Sequence, residues 1–209
     1  MSESGIGILA YGSLIDNSGP EIGPNINRKI QCLTPFKVEF ARTSSSRSGE
    51  PTLIPYDKGK KVNAYILVLN NHIDLDTAKS MLWRRERNLC DGKDYAEPIS
   101  PSNNNVLVKT VKNFEGIDTV LYTHIGKNID GEITADVLCD LGIDSILGTA
   151  GEEMRDGIRY LLDAKRNSIT TLLSGAYEEL VLKKTETKTL QEAIIKLDLQ
   201  RNSQGNNRG

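Results

Sequence analysis

Two kinds of periodicity follow one another along this chain, with short apolar runs first and helical spacing dominating later. Residues 6–11 form a compact apolar run that stops at Gly12, and residues 62–69 form a second, partly β-branched or aromatic, with Asn70-Asn71 as a turn signal. Residues 106–111 and 119–125 read as two further strands joined through 113–118, a hairpin connection that contains Gly116. Residues 29–43 alternate imperfectly and suggest extended structure. Residues 44–55, rich in Ser, Gly and Pro, read as a loop.

Helical spacing appears first after Asp74 or Asp76, either of which can cap a helix running to about Arg87. Residues 134–141 form a second candidate, ended near Gly142. From Thr149 onward the pattern is mainly helical, over 152–165, 168–182 and 189–199. The final residues are polar and unpatterned and read as disordered. The order predicts an α+β chain with a strand-rich domain over 1–130, a helical extension over 131–200 packed on it, and a disordered tail over 201–209.

Composition narrows the function classes. The chain has 209 residues with 38% hydrophobic content, enough for a real core. With 26 basic and 28 acidic residues the net charge is −2, which argues against general nucleic-acid affinity. No apolar run approaches the roughly 20 residues that span a bilayer, and the first residues lack a signal-peptide pattern. A cytoplasmic protein without membrane contact is the expectation. Cys32, Cys90 and Cys139 share no close pair, and His72 and His124 lie far apart, so neither a disulfide framework nor a metal site is indicated.

Two local features carry candidate chemistry. The turn Tyr11-Gly12-Ser13-Leu14 follows an apolar strand, and a small-residue turn of this kind exposes several backbone N–H groups that cradle a carboxylate or a developing oxyanion. In the helix after Asp74, Leu75, Ala78, Leu82 and Glu86 share one face. With Leu75 at zero, Leu82 falls at about 340° and Glu86 at about 20°, so a carboxylate continues an apolar stripe. Burying it is costly unless it is paired, protonated or opens into a cavity. Pairing with Arg84, Arg85 or Arg87 is the structural alternative to an acid/base role. Arg84 and Arg87 are expected to face solvent, and Trp83 lies about 80° off the stripe, a packing or rim position.

Taken in order, these pieces resemble the γ-glutamylcyclotransferase-like superfamily over roughly residues 5–126. The turn Tyr11-Gly12-Ser13-Leu14 is similar to that family's signature turn. Pro51-Thr52-Leu53-Ile54-Pro55 followed by Lys61-Val62-Asn63-Ala64-Tyr65-Ile66-Leu67-Val68-Leu69 resembles its loop and central strand. Glu86 falls where the family carries its acid/base glutamate, and Tyr95 and Tyr122 fall at its later tyrosines. Better-known members have Asn where this chain has Leu14, and often Gly where it has Arg87; these differences bear on the substrate.

The resemblance implies a small mixed β-barrel with peripheral helices. It implies a lyase- or acyltransferase-type enzyme that converts a γ-glutamyl amino acid, peptide or amine to 5-oxoproline and a free amine. In that reading Glu86 moves protons, and Tyr11, Gly12, Ser13, Leu14, Tyr95 and Tyr122 bind substrate. The substrate's own α-amine is the nucleophile, so neither a covalent intermediate nor a metal or organic cofactor is required. Two other classes fit the sequence. One is a non-catalytic module of the same fold that binds a small anion or an acyl-amino compound. The other is an interaction protein whose amphipathic helices, through Ile158, Leu161 and Leu162, dock a partner or form a homodimer.

Overall fold

In the computed structural model, which describes residues 3–44, 49–90 and 92–205, the strands divide between two sheets. Five of them, β1 (Glu3–Ala10), β2 (Ile26–Leu33), β5 (Asn63–Leu69), β6 (Leu107–Phe114) and β7 (Ile117–His124), make one mixed sheet in the order β2-β5-β1-β7-β6. The other two, β3 (Val38–Thr43) and β4 (Pro51–Pro55), pair only with each other. The helices are α1 (Gly19–Ile22), α2 (Leu75–Arg87), α3 (Ala135–Leu147), α4 (Thr149–Glu152), α5 (Gly157–Arg166), α6 (Ser174–Thr185) and α7 (Leu190–Gly205). The chain separates into two units: Met1–Phe36 with Lys61–Gly126, and Lys37–Lys60 with Lys127–Gly209.

In the sheet unit, β1 is central, antiparallel to β5 and parallel to β7. Alternation along the strands sends Ile8, Ala10, Leu67, Leu69 and Leu121 to one face, where Ala78, Met81 and Leu82 of α2 cover them. Leu9, Ile66, Val68 and Val120 line the other face. Gly7 is required at the centre, because a Cβ there would collide with the Ile66 side chain on β5. The β6–β7 hairpin closes on Glu115-Gly116, with φ 49° and 80°, so Phe114 pairs with Ile117 across a two-residue turn. Both strands are therefore longer than their apolar runs suggested.

The expected barrel does not form. Among the described residues the outer strands β2 and β6 do not pair with each other, and β3–β4 is a separate sheet. The edges are built for solvent instead: β2 exposes Arg28, Lys29 and Gln31, and β6 carries Lys109 and Lys112, charges that suit an uncovered edge. The α+β class itself holds, as a mixed sheet with helices.

The helical unit also differs from the sequence reading. Residues 51–55 are the strand β4, because their two prolines sit at its ends, where a missing N–H is tolerated. Residues 45–48 of that expected loop lie outside the described residues. The hairpin joins the helices through a buried carboxylate: Glu39 accepts the N–H of Phe40 at 2.9 Å and that of Leu173 at 3.3 Å. The domain boundary thus does not fall once, near 130; residues 37–60 go with the helices. α3 continues through Gly142, because a Cβ there would collide with the Tyr177 hydroxyl, so glycine permits close packing rather than ending the helix. The expected 152–165 helix is split, and Asp156 caps α5 by accepting from the N–H groups of Ile158 and Arg159.

The tail is also corrected. α7 runs to Gly205, with Arg201 donating to the Ile146 carbonyl at 3.0 Å and pairing with Asp198; residues 206–209 lie outside the described residues. Ile158, Leu161 and Leu162 are buried inside this unit, so they form its own core rather than a free docking face. Among the described residues no helix is long and apolar enough to cross a membrane.

Candidate functional site

The candidate site is built at the C-terminal end of α2. Asp74 starts this helix as the sequence indicates: its carboxylate accepts the Thr77 and Asp76 N–H groups, and these bonds hold it below its ordinary range, Thr77 contributing most. Asn88 ends the helix in the left-handed conformation, φ 53°, with its N–H on the Arg84 and Arg85 carbonyls. Glu86 therefore lies in the last turn, where the helix dipole disfavours a carboxylate and favours the three neighbouring arginines.

Each arginine has a different task. Arg84 is buried rather than solvent-facing. Its guanidinium grips both Glu21 oxygens, at 2.9 Å from Nε and 2.5 Å from Nη2, and donates to the Lys93 carbonyl at 2.7 Å. Arg87 lies over the Trp83 ring, 4.9 Å from its centroid. Arg85 joins the two features singled out in the sequence. Its Nη1 donates to Glu86 Oε1 at 2.6 Å, and its Nη2 to the Ser13 hydroxyl at 3.2 Å. Nε and Nη2 also donate to the Asn17 carbonyl, at 3.1 and 2.7 Å. Gly19 makes room for this arrangement. Its φ is +79°, and a Cβ would meet Arg85 Cγ at 3.2 Å.

The turn is a single 3-10 turn over Gly12–Leu14, with Gly12 at φ 74° and Tyr11 as an N-cap that offers no side-chain acceptor. The first N–H groups of such a turn have no partner within it, and the Arg85 guanidinium meets the turn at the Ser13 hydroxyl. Ser13 is half-buried and faces Arg85. The Leu14 side chain is buried with Ile22, Ala78 and Leu82, so its part in a site is confined to its backbone.

The three predicted tyrosines do not join this group. Tyr11 donates to the Thr123 carbonyl at 3.2 Å and stacks edge-on against Phe36, which in turn lies 4.5 Å from the Tyr122 ring. Tyr11 and Tyr122 pack with Leu9, Ile66 and Val120, on the sheet face away from α2. Their strand positions have the opposite parity to Ile8, Ala10 and Leu121, and that parity decides the face. Tyr95 is on the α2 side, but as a brace: its N–H donates to Ser80 Oγ at 3.0 Å and its hydroxyl accepts the Val108 N–H at 3.1 Å.

A concave pocket of about 250 Å³ flanks the site on the next strip of α2, lined by Trp83, Arg87, Ala96, Pro98, Asn104, Asn105 and Val106. Neither Glu86 nor the turn lines it. Among the described residues no group of three or more His, Cys, Asp or Glu side chains is placed to hold a metal ion.

Sequence reasoning named Arg85 only as one of three salt-bridge partners and missed its contact with the turn. The only trace in the sequence is its place beside Glu86, since nothing marks Asn17, or Gly19 at the start of α1, until the fold brings them to α2. Set against known proteins, the chain matches no family model, no curated protein and no solved structure.

Proposed function

We propose that the Ser13–Arg85–Glu86 group is the active site of a γ-glutamylcyclotransferase-like enzyme that acts in the cytoplasm on a small γ-glutamyl compound. One observation carries the reading: Arg85 holds a carboxylate with one arm and the Gly12–Leu14 turn with another, across 72 residues of chain. The free α-amino acid end of a γ-glutamyl substrate is a zwitterion, and an Arg–Glu pair is its complement. The substrate carboxylate takes the guanidinium, beside the turn N–H groups, and the substrate ammonium takes the released Glu86 carboxylate. One ion pair is exchanged for two.

The chemistry then needs a single proton carrier. Glu86 removes a proton from the α-ammonium, and the freed amine attacks the γ-carbonyl carbon of the same molecule, closing a five-membered ring. The tetrahedral oxyanion finds N–H donors at the turn. The C–N bond to the departing amine breaks as Glu86 returns its proton to that nitrogen. The ring nitrogen still carries two hydrogens after attack and gives one up, through the freed Glu86 carboxylate, to the released amine, so the products are 5-oxoproline and the protonated amine, and atoms and charges balance without a covalent enzyme intermediate.

Glu86→Gln keeps the shape and removes the proton carrier. Release of 5-oxoproline from a panel of γ-glutamyl amino acids and amines is expected from the wild-type chain and not from the variant. A variant as active as wild type would end the assignment. A second reading, binding without turnover, draws support from the same ion pair, since a carboxylate held by Arg85 is already satisfied as an anchor. Calorimetric binding of the panel with no 5-oxoproline formed would establish it.

A further inference from the structure

Two adjacent arginines in the last turn of α2 use the same edge of their guanidinium groups on different acceptors. Arg84 turns Nε and Nη2 towards Glu21 and grips both carboxylate oxygens, at 2.9 and 2.5 Å. Arg85 turns Nε and Nη2 towards the Asn17 carbonyl, at 3.1 and 2.7 Å. That edge is a fork that matches a carboxylate by two parallel bonds. In Arg85 a backbone carbonyl fills it, so Glu86 is met through Nη1 alone, at 2.6 Å.

The Asn17 carbonyl is fixed from both directions along the chain. On the turn side, the Asn17 N–H donates to the Ser13 carbonyl at 3.0 Å. Its side chain accepts the Gly19 N–H at 3.2 Å. On the other side the chain runs through Gly19, at φ +79°, and Pro20, whose ring fixes φ, into Glu21. There the Arg84 fork holds it, and Ile22 behind it is fully buried with Leu14, Ala78 and Leu82. A further bond, from Arg84 to the Lys93 carbonyl at 2.7 Å, keeps the clamp from turning. Residues 17–21 thus make a strap across the end of α2, pinned by the Gly12–Leu14 turn at one end and by Arg84 at the other.

We propose that Glu21 is a positioning residue for the site. Through Arg84 it holds the strap down, the strap keeps the Asn17 carbonyl in the Arg85 fork, and Glu86 stays held by a single bond. The role rests on the reading of Glu86 given above. With the strap released, the fork turns to Glu86 and closes it as Arg84 closes Glu21. A ligand must then break two charged hydrogen bonds to reach the pair, where it otherwise breaks one. That cost falls on binding. Once the pair is open, the proton transfers are those of the wild type.

The test follows 5-oxoproline release from the panel compound that wild type turns over fastest. It also follows the arginine Nε–H resonances of the isotope-labelled intact chain, with Arg85→Lys identifying the Arg85 resonance by its loss. Glu21→Ala is expected to raise KM roughly tenfold to hundredfold, the worth of one charged hydrogen bond, and to leave kcat within about twofold. Its Arg85 Nε proton moves downfield, because a bond to a carboxylate is shorter than one to a carbonyl. Glu21→Gln, which keeps one acceptor for Arg84, shows the same changes at smaller size. Glu21 is partly exposed, and Asp94, 3.6 Å from Arg84, remains as a counter-charge when it is truncated. Where Glu21→Ala does not fold, the Gln variant carries the test. An unmoved Arg85 resonance would overturn the strap, as would a loss in kcat at constant KM, the mark of general damage to the site. A wild type that turns over none of the panel ends the reading of Glu86 instead. The resonance then decides the strap alone, upholding it by moving and overturning it by staying in place.

Discussion

Both units of this chain place an arginine against a carboxylate at a helix end, and the two pairs are in opposite states. In the helical unit, Asp156 is fully buried and both its oxygens are used. One accepts the Ile158 and Arg159 N–H groups and the other takes the Arg159 guanidinium, which also reaches Asp198 on α7. In the sheet unit, the Glu86 side chain keeps 26% of its surface exposed, and one oxygen is held, by Arg85. A saturated buried carboxylate is locked into the fold. A half-open one with capacity to spare can exchange partners, which is what proton transfer to a ligand demands. Arg84 and Glu21 show that the sheet unit also builds saturated pairs, so the openness of Glu86 is a property of its position and not of the unit.

The contrast can be broken from either side, and the largest effect is expected in the helical unit. Asp156→Ala removes the α5 cap and leaves Arg159 with a lost partner. A cost of about 3–5 kcal/mol, the range for breaking a buried pair, should appear in urea unfolding. A loss below about 1 kcal/mol would mean that the pair is ornamental. Glu86→Gln should do the reverse. Its stability should fall by less than about 1 kcal/mol, since a partly exposed pair contributes little. On the proposed acid/base reading, 5-oxoproline release should fall by about 10²–10⁴, the usual share of such a group. A variant that unfolds while the residual folded fraction stays active would reverse the assignment of roles.

A smaller effect tests close packing. Gly142→Ala puts a methyl group against the Tyr177 hydroxyl and Ile158, and should cost about 1–3 kcal/mol although alanine is the better helix former. A stabilised variant would show that the α3–α6 crossing can relax.

The smallest expected effect is alkaline. Burial, with a contribution from Glu115, pushes the Cys32 thiol up to about 11 from an ordinary 9.0. The folded state then keeps a proton that the unfolded chain releases. This contribution to stability is present below pH 9 and is lost as pH rises towards about 11. Burial raises Tyr177 in the same direction. Cys32→Ala should flatten the fall in stability over that window, as read from unfolding midpoints, and an unchanged slope would remove Cys32 as a cause.

Local chemistry was legible wherever one segment holds all of it. The Asp74 cap, the length of α2, the place of Glu86 in its last turn, the break at Gly12 and the strand runs of β1 and β5 follow from periodicity, capping residues and turn residues. Each is decided by side chains within a few positions of one another. Gly142 misled because the same residue serves as a helix stop and as a close-packing site, and only the approach of Tyr177 from α6 distinguishes them. The 37–60 hairpin misled because an apolar alternation does not say which core it will enter.

The site divides along the same line. That Glu86 is out of place on an apolar stripe was readable from spacing alone, because the 3.6-residue period sets the helix face. Its partner was not readable, since Arg84, Arg85 and Arg87 are equivalent as neighbours. Their directions are chosen by Glu21, by the turn with Asn17, and by Trp83. Nor could sequence order show that Tyr11 and Tyr122 leave the group. Strand parity sends them to the far face, and that has meaning only once the sheet has a side covered by α2. The chain thus encoded the elements and the anomalous carboxylate through short-range periodicity. The bridge from Arg85 to the Gly12–Leu14 turn and the open sheet in place of a barrel arise from contacts between segments dozens of residues apart.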